Sequence, residues 1–314
     1  MNTFGRRAPL ICFCCCVWAL AAHQLPAQDS SSLPDDPGFL LAASSSAHEP
    51  QSPTTPEPQS PAAPAPDDSG QTAQPQKPPV DVTTGVPQRE ATWRSLPGDF
   101  FHDQKDLWTF PIRLAKGHYL LPTAVVVGGT IGLLYVDPHA APYFRKHQTN
   151  WDDVNDVFDP LVTTGEVIAL PASLMAAGYI RHDDREVNTA LLATEAYGDS
   201  VVINLAMKAV TRRERPTDVP LNGNYEDTFF NGGKSPLKGS SFPSGHATAV
   251  WSVATVVAER YRHRHKPWVP VLCYTLATAI SFSRITESAH FPSDVWLGAS
   301  LGYTIAKYQT LKPR

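Results

Sequence analysis

Six long apolar stretches constrain the fold of this chain more than any other feature of its sequence. Each is long enough for about four to six helical turns, and none keeps the strict alternation of apolar and polar residues that marks a half-buried strand. The sequence therefore predicts an all-α fold, a helical bundle of about six core helices. The stretches cover residues 117–136, 160–180, 188–210, 246–260, 268–284 and 292–308.

The chain that precedes these stretches has a composition that cannot form a core. Fifteen of the 30 prolines lie between Pro26 and Pro97, where large apolar side chains are few. Such a segment is extended and solvated. We therefore predict a Pro-rich disordered linker over residues 28–99 and one folded domain over residues 100–314, which is long enough to bury a sizeable core.

The first 27 residues have the pattern of a secretory signal peptide. Arg6 and Arg7 form a basic head, residues 8–22 are uncharged and mostly apolar, and small residues follow. The alternative is an uncleaved membrane anchor, although the apolar run is short for a bilayer span. In both cases we expect the protein to be exported, to the periplasm or to a membrane surface.

Charge and cysteine content argue against two classes of function. Residues 98–314 contain 21 basic and 21 acidic residues, and such a neutral domain lacks the broad basic face of a nucleic-acid-binding protein. The same residues contain one cysteine, Cys273, and no Cys/His spacing typical of a metal site. We expect neither a nucleic acid partner nor a bound metal.

Three local patterns near predicted helix ends combine cations with histidines. In the first, Lys208 and Arg215 are seven residues apart, which is two helical turns, so both can face the same way. Pro216 disfavours helical geometry at Arg215, and the helix is therefore expected to end there. Two cations at a helix end suit an anion with several oxygens, although cations also occur there simply because they complement the helix dipole.

The second pattern is Pro243-Ser244-Gly245-His246, immediately before an apolar run. Ser244 is a natural N-cap, and Gly245 allows an oxyanion to approach the backbone closely. A helix start offers free N–H groups and the positive end of the dipole, which together favour phosphate. His246 lies in the first turn, beside such an anion. The alternative is a plain N-cap followed by a surface histidine.

The third pattern places Ser283 and Arg284 at the end of one apolar stretch and His290 and Asp294 at the start of the next. Asp294 follows His290 by four residues, so its carboxylate can reach one nitrogen of the imidazole. Such a contact selects the tautomer whose other nitrogen carries a free lone pair and can act as a nucleophile. The alternative is a His–Asp pair that merely caps a surface helix.

Together the three patterns resemble the signature of the type 2 phosphatidic acid phosphatase / vanadium haloperoxidase superfamily. The resemblance covers about residues 115–308, and no motif position departs from the family pattern. It implies that residues 100–314 are a helical catalytic domain that breaks phosphate esters without a metal or another cofactor. Vanadate is expected only as a transition-state mimic or, in the haloperoxidase alternative, as a ligand of His290.

The resemblance also implies a role for each motif residue. His290 would attack phosphorus and form a phosphohistidine, and Asp294 would orient it. His246 would protonate the leaving oxygen and then activate water. Five residues would bind the phosphoryl oxygens: Lys208, Arg215, Ser244, Gly245 and Arg284.

The motifs leave the substrate and the surroundings of the bundle open. The leading hypothesis is a phosphatase of phosphomonoesters, either a lipid phosphate or a small soluble ester, with contact to a membrane surface. The alternatives are a vanadate-dependent haloperoxidase, a membrane-embedded phosphatase of isoprenoid pyrophosphates or lipids, and, in another class, a non-catalytic phosphate- or lipid-binding module. Uncharged runs between His118 and Asp137 and between Lys266 and Ser283 are long enough to span a bilayer.

Several further charged residues, including Glu287 inside the third pattern, are given no functional role. Asp137 is assigned to a charged loop and Glu287 to a solvated loop, whereas Glu195 and Asp199 make the third apolar stretch amphipathic. A basic, solvated connecting loop is predicted from Arg260, Arg262, Arg264 and Lys266.

Overall fold

The computed structural model describes residues 89–232, 240–262 and 267–313, with the backbone alone at residues 160–162. Within these ranges the chain forms helices and no strand, which confirms the predicted all-α class. The predicted signal peptide and the linker up to residue 88 lie outside the described residues. The helices are α1 Leu96–Trp108, α2 Phe110–Ala115, α3 Leu120–Lys146, α4 Asp152–Val157, α5 Pro160–Arg181, α6 Asp184–Thr211, α7 Gly245–Tyr261, α8 Trp268–Thr286 and α9 Pro292–Ile305.

The six predicted stretches correspond to α3, α5, α6, α7, α8 and α9, the last continued by a π-helical turn, Ala306–Thr310. The largest difference is at α3, which runs ten residues beyond its predicted end and continues through Pro138 and Pro142. Because proline commonly ends a helix, the sequence favoured a loop there. Asp137 is therefore inside a helix and fully buried, and its assignment to a charged loop is wrong.

Two central helices, α6 and α7, organise the bundle. α6 packs against α5 and α7, and α7 packs in addition against α8 and α9. The contact between α7 and α9 is made at backbone distance, because a Cβ atom added at Gly302 would overlap the carbonyl of Thr248, and one at Gly298 would overlap the carbonyl of Ser244. Two glycines in the middle and second half of α9 thus allow this helix to pack directly against the start of α7.

The polar residues of α6 point into the bundle. Glu195 is 2% exposed and Asp199 is completely buried, so the solvated polar face of an amphipathic helix is absent at these positions. Arg89 Nη2 donates to Glu195 Oε1 at 2.6 Å, and Gln104 Nε2 donates to Asp199 Oδ1 at 2.9 Å. The carboxylates are stable in the interior because other buried polar groups contact them.

Residues before the predicted boundary at residue 100 pack against the bundle. Arg89 and Ala91 are both buried, and the backbone oxygen of Ala91 accepts a hydrogen bond from Asn188 Nδ2 at 3.2 Å. The backbone oxygen of Arg89 accepts one from Arg260 Nη1, also at 3.2 Å. Arg260 is therefore a buried anchor of this segment at the end of α7, and its assignment to a solvated loop is wrong. Arg264 and Lys266 lie outside the described residues.

An apolar outer face accompanies this polar interior. Two helices among the described residues, α3 and α8, are long and apolar enough to cross a membrane by length and composition. They contain the two uncharged runs noted in the sequence. On α3, Leu121 is 77% exposed and Tyr135 is 80% exposed, so this face has few protein partners in the described structure.

The close α7–α9 contact predicts a specific sensitivity to a single methyl group. Gly302→Ala should destabilise the protein by about 1–3 kcal/mol, because the backbones must separate to admit the new Cβ atom. Gly132→Ala in α3 is the matched control, since nothing lies within 4 Å of its added Cβ and alanine favours helix. Denaturant unfolding of both variants tests this, and equal stability of the two would contradict it.

Candidate active site

The three sequence patterns meet at one end of the bundle, where α6 and α8 end and α7 and α9 begin. A cavity of about 290 Å³ lies there. Six of the eight predicted site residues line the cavity: Lys208, Arg215, Gly245, His246, Arg284 and His290. The other two, Ser244 and Asp294, are buried, and the Ser244 N–H donates to the backbone oxygen of Asp294 at 2.9 Å. The structure thus brings all eight predicted residues together.

Lys208 links the first pattern to the second. It lies in the last turn of α6 and is 8% exposed. A Cβ atom added at Gly245 would lie 3.6 Å from its Nζ, so the ammonium group is beside the backbone at the start of α7. Burial, together with the charge of Arg215, lowers the pKa of Lys208 to about 8. The side chain is therefore still mostly protonated at neutral pH.

Two arginines contribute nitrogen atoms that have no partner among the described residues. Arg284 is completely buried and donates to the Phe158 carbonyl and to Ser283 Oγ. Its Nη1 atom and the Nε atom of Arg215 are nevertheless buried without a hydrogen bond. Orphaned buried donors are rare, and two of them on residues that line one cavity are what an oxyanion site requires.

Glu287 holds Arg284 from the side of the connecting loop. Its Oε1 atom accepts from Arg284 Nη2 at 2.9 Å, and its side chain is only 16% exposed. Its interpretation as a solvated loop carboxylate is therefore wrong. Burial, opposed by the Arg284 charge, raises the pKa of Glu287 to about 7.

A backbone carbonyl fixes the tautomer of His290. Its Nδ1 atom donates to the oxygen of Ser241 at 2.8 Å, whereas Asp294 Oδ2 is 3.7 Å from the same nitrogen. The expectation that the Asp294 carboxylate selects the tautomer is thus corrected, because the carbonyl makes the shorter contact. Burial lowers the pKa of His290 to about 4 although Asp294 acts in the opposite direction. The ring is neutral at pH 7, and its Nε2 atom carries the lone pair.

Asp294 is held by Arg213 rather than by the histidine. Arg213 is 2% exposed, and its Nη1 atom donates to Asp294 Oδ1 at 2.6 Å while its Nη2 atom donates to Asp137 Oδ2 at 2.7 Å. The guanidinium also lies 3.9 Å from the ring centre of Phe291. Although burial acts to raise it, the charge of Arg213 keeps the pKa of Asp294 below its ordinary value. Asp294 thus remains a carboxylate behind His290.

The side chain of His246 is held in place by a contact with α5. Its Nε2 atom lies 3.2 Å from the hydroxyl oxygen of Thr164, and its place in the first turn of α7 follows from the N-cap at Ser244. Ser244 Oγ accepts a hydrogen bond from the Ala247 N–H at 3.4 Å, as predicted for a cap.

A separate cluster of carboxylates lies outside the cavity lining. Asp103, Glu195 and Asp199 have oxygen atoms within 4.8 Å of one another, and they are the group with metal-ligand character that the described residues contain. Arg89 contacts two of them. The cluster is therefore an internal ion-pair network beneath the N-terminal segment, and the cavity itself is lined by cations.

The part of the chain that carries this geometry matches a known family. Residues 189–312, which include every predicted site residue, match the family model of the PAP2 superfamily. The resemblance inferred from the three patterns is confirmed for this segment, whereas α3 and α5 lie outside the matched range.

Two curated relatives and one solved structure are similar to parts of this chain. The chain is 37% identical over 68 residues to lipid A 1-phosphatase of Porphyromonas gingivalis, covering 22% of this chain and 15% of that protein. It is 29% identical over 124 residues to phosphatidylglycerophosphatase B of Bacillus subtilis, covering 38% and 55%. The chain thus spans about half or less of the curated relatives it matches. A crystal structure of a transmembrane PAP2 type phosphatidylglycerolphosphate phosphatase from B. subtilis superposes with a TM-score of 0.36 and 19% identity, over 65% of this chain and 92% of that one.

The residues that support the candidate site from behind were not predicted from the sequence. Arg213 lies inside the first pattern, two residues before Arg215, so its position near the site was visible. Its partner Asp137 is 76 residues away in sequence, and no local signal joins the two. Ser241 acts through its backbone oxygen, which no side-chain pattern reveals.

The Arg213 ion pairs predict a large loss of stability when the cation is removed. Arg213→Met should destabilise the protein by about 3–5 kcal/mol, because Asp137 and Asp294 then remain buried without their cation. Arg262→Met is the control, since its exposed pair with Glu259 contributes about 1 kcal/mol or less. Denaturant unfolding measures both. Failure of Arg213→Met to accumulate as folded protein agrees with the prediction, and stability equal to the control contradicts it.

Proposed function

We propose that this protein is a phosphatase that hydrolyses a lipid phosphate monoester through a phosphohistidine at His290, without a metal. The observation that supports it is the single cavity where the neutral ring of His290, the imidazole of His246 and three cationic side chains meet. A site for binding alone needs the cations but neither a nucleophile nor a proton donor.

In the first step, His290 Nε2 attacks phosphorus while the bond from phosphorus to the leaving oxygen breaks. The hydrogen bond from Nδ1 to the Ser241 carbonyl keeps the lone pair on Nε2. His246 donates a proton to the leaving oxygen, a contribution typically of about 10²–10⁴ in rate. The Asp294 carboxylate stabilises the positive charge that develops on the ring of His290.

In the second step, water attacks the phosphohistidine and the bond from phosphorus to nitrogen breaks. His246, now neutral, accepts a proton from that water, and free phosphate leaves. In both steps the transferring group carries charge on its equatorial oxygens, and Lys208, Arg215 and Arg284 stabilise that charge. The hydroxyl of Ser244 and the backbone N–H at Gly245 complete the cradle.

The remaining wall of the cavity favours a lipid as the leaving group. Val201 and Leu205 of α6, Ala249 of α7 and Ile280 of α8 line it. An apolar wall beside a cationic cradle fits an amphiphile whose phosphate is next to hydrocarbon. The two named relatives are lipid phosphatases, which supports the same substrate class.

Membrane association follows from that substrate class. Helices α3 and α8 have the length and composition of bilayer spans, and α3 exposes large apolar side chains. We propose that these helices contact the lipid phase from which the substrate comes. Export to the periplasm, as predicted from the first 27 residues, stays a prediction.

The proposed nucleophile predicts a trapped intermediate. His290→Ala should lower phosphatase activity by about 10³-fold or more, because it removes the group that attacks phosphorus. Replacing His246 by Ala should let labelled phosphohistidine accumulate from p-nitrophenyl phosphate, whose leaving group needs no proton. The control is His118→Ala, an exposed histidine outside the cavity lining. Near-normal hydrolysis by His290→Ala would exclude this mechanism.

The proposed charge stabilisation also predicts resistance to chelators. Three cationic side chains supply the positive charge that metal ions provide in other phosphatases, so activity should persist in excess EDTA. Initial rates on the same substrate before and after dialysis against chelator measure this. A loss that zinc or magnesium restores would show that the site needs a metal.

A further inference from the structure

A second cavity lies next to the catalytic one, along the hairpin of α5 and α6. Its volume is about 700 Å³, within the range of ligand pockets. Val167 and Tyr197 line both cavities, so the two cavities are neighbours at these residues. We call this second cavity the tail groove. The tail groove is lined by Trp93, Val167, Ile168, Pro171, Ala172, Met175, Ala176, Tyr179, Thr194 and Tyr197.

The tail groove follows a continuous stripe on α5. Val167, Pro171, Met175 and Tyr179 recur at intervals of four residues and therefore share one face of the helix. From Thr163, which lines the catalytic cavity, to Tyr179 the helix rises about 24 Å. The stripe thus extends from the phosphate cradle along most of the length of α5.

The facing side of the groove is built by α6 in the same way. Thr194 and Tyr197 line the groove, and Val201 and Leu205 continue the stripe into the catalytic cavity as far as Lys208. None of the ten side chains that line the groove carries a charge. The only polar side-chain atoms among them belong to Trp93, Tyr179, Thr194 and Tyr197. The groove therefore suits hydrocarbon.

The far rim of the groove is formed by the segment that precedes α1. Trp93 Nε1 donates to the hydroxyl of Tyr179 at 2.8 Å, which places the indole across the end of the α5 stripe. The buried contacts of Arg89 and Ala91 fix this segment to the bundle. Trp93 lies outside the range that matches the PAP2 superfamily, so this rim is a feature of this chain's own N-terminal segment.

We propose that the tail groove binds the hydrocarbon tail of the lipid phosphate whose phosphoryl group lies in the catalytic cavity, and that Trp93 limits the length of tail that fits. The proposal rests on the proposed function, since it concerns the same substrate. The position of the groove identifies the occupant, because a tail bonded to a phosphate in the cradle would reach the groove beside Val167 and Tyr197, which line both cavities. If the groove were instead occupied by a bilayer lipid or by a second copy of the protein, the turnover rate would not depend on the length of the substrate's tail.

A series of monoalkyl phosphates, from butyl to hexadecyl, tests this in mixed micelles at constant surface concentration. For the unaltered protein, kcat/KM should rise by up to about fourfold per methylene buried in the groove, then level off where the tail reaches Trp93. The water-soluble ester p-nitrophenyl phosphate is the reference substrate. It has no alkyl tail and reports the catalytic cavity alone.

Two variants locate the tail within the groove. Met175→Trp fills the middle of the groove and should lower the ratio of hexadecyl phosphate to p-nitrophenyl phosphate turnover at least tenfold. Trp93→Ala opens the far rim and should move the levelling point to longer tails. Trp108→Ala is the matched control, because Trp108 and Trp93 are similarly exposed, at 57% and 59%, and Trp108 lies outside the groove lining.

The outcomes separate this inference from the proposed function. If the unaltered protein fails to hydrolyse both p-nitrophenyl phosphate and the alkyl phosphates, the proposed phosphatase activity is wrong. If it hydrolyses them but both variants keep the tail-length profile of the Trp108→Ala control, the tail groove is wrong while the phosphatase stands. Should Met175→Trp fail to fold, the surface variant Trp93→Ala decides alone, and an unchanged levelling point overturns the proposal.

Discussion

The geometry of the active site depends on one buried guanidinium, that of Arg213. It joins Asp137 of α3 to Asp294 of α9 at 2.7 and 2.6 Å, and the ring of Phe291 covers it. A buried charge persists only where partners of opposite sign are held close. The positions of α3, α9 and the loop after α6 are therefore coupled, and the contact that couples them lies directly behind His290.

Charge is distributed unevenly on the two sides of the His290 ring. Asp137 and Asp294 share the single positive charge of Arg213, so the interior behind the ring has an excess negative charge. In front of the ring, Lys208 and two arginines make the cavity positive. In the proposed reaction, the cations meet the phosphoryl oxygens while the buried carboxylate compensates the charge on the phosphorylated ring. The imidazole of His290 thus lies between a negatively charged interior and a positively charged cavity.

The N-terminal segment is part of the same architecture although it lies outside the PAP2 match. The inward carboxylates of α6 would be costly without a cation, and Arg89 supplies it from residues whose composition suggested a disordered linker. The same anchor holds Trp93 at the end of the tail groove. The anchored segment therefore has two effects: Arg89 allows acidic side chains of α6 to be buried, and Trp93 is held where we propose that it limits the length of the substrate's tail.

Local patterns in the sequence were sufficient for the helices and the motif residues, because helical periodicity, N-caps and spacings within one turn are short-range properties. They located Ser244 at the start of α7 and Lys208 at the end of α6. Pairings such as Asp137 with Arg213, or Glu195 with Arg89, join residues that are 76 and 106 positions apart. Only the tertiary structure decided these pairings. The neighbouring sequence of a charged residue is the same whether its side chain is solvated or pairs with an opposite charge in the interior.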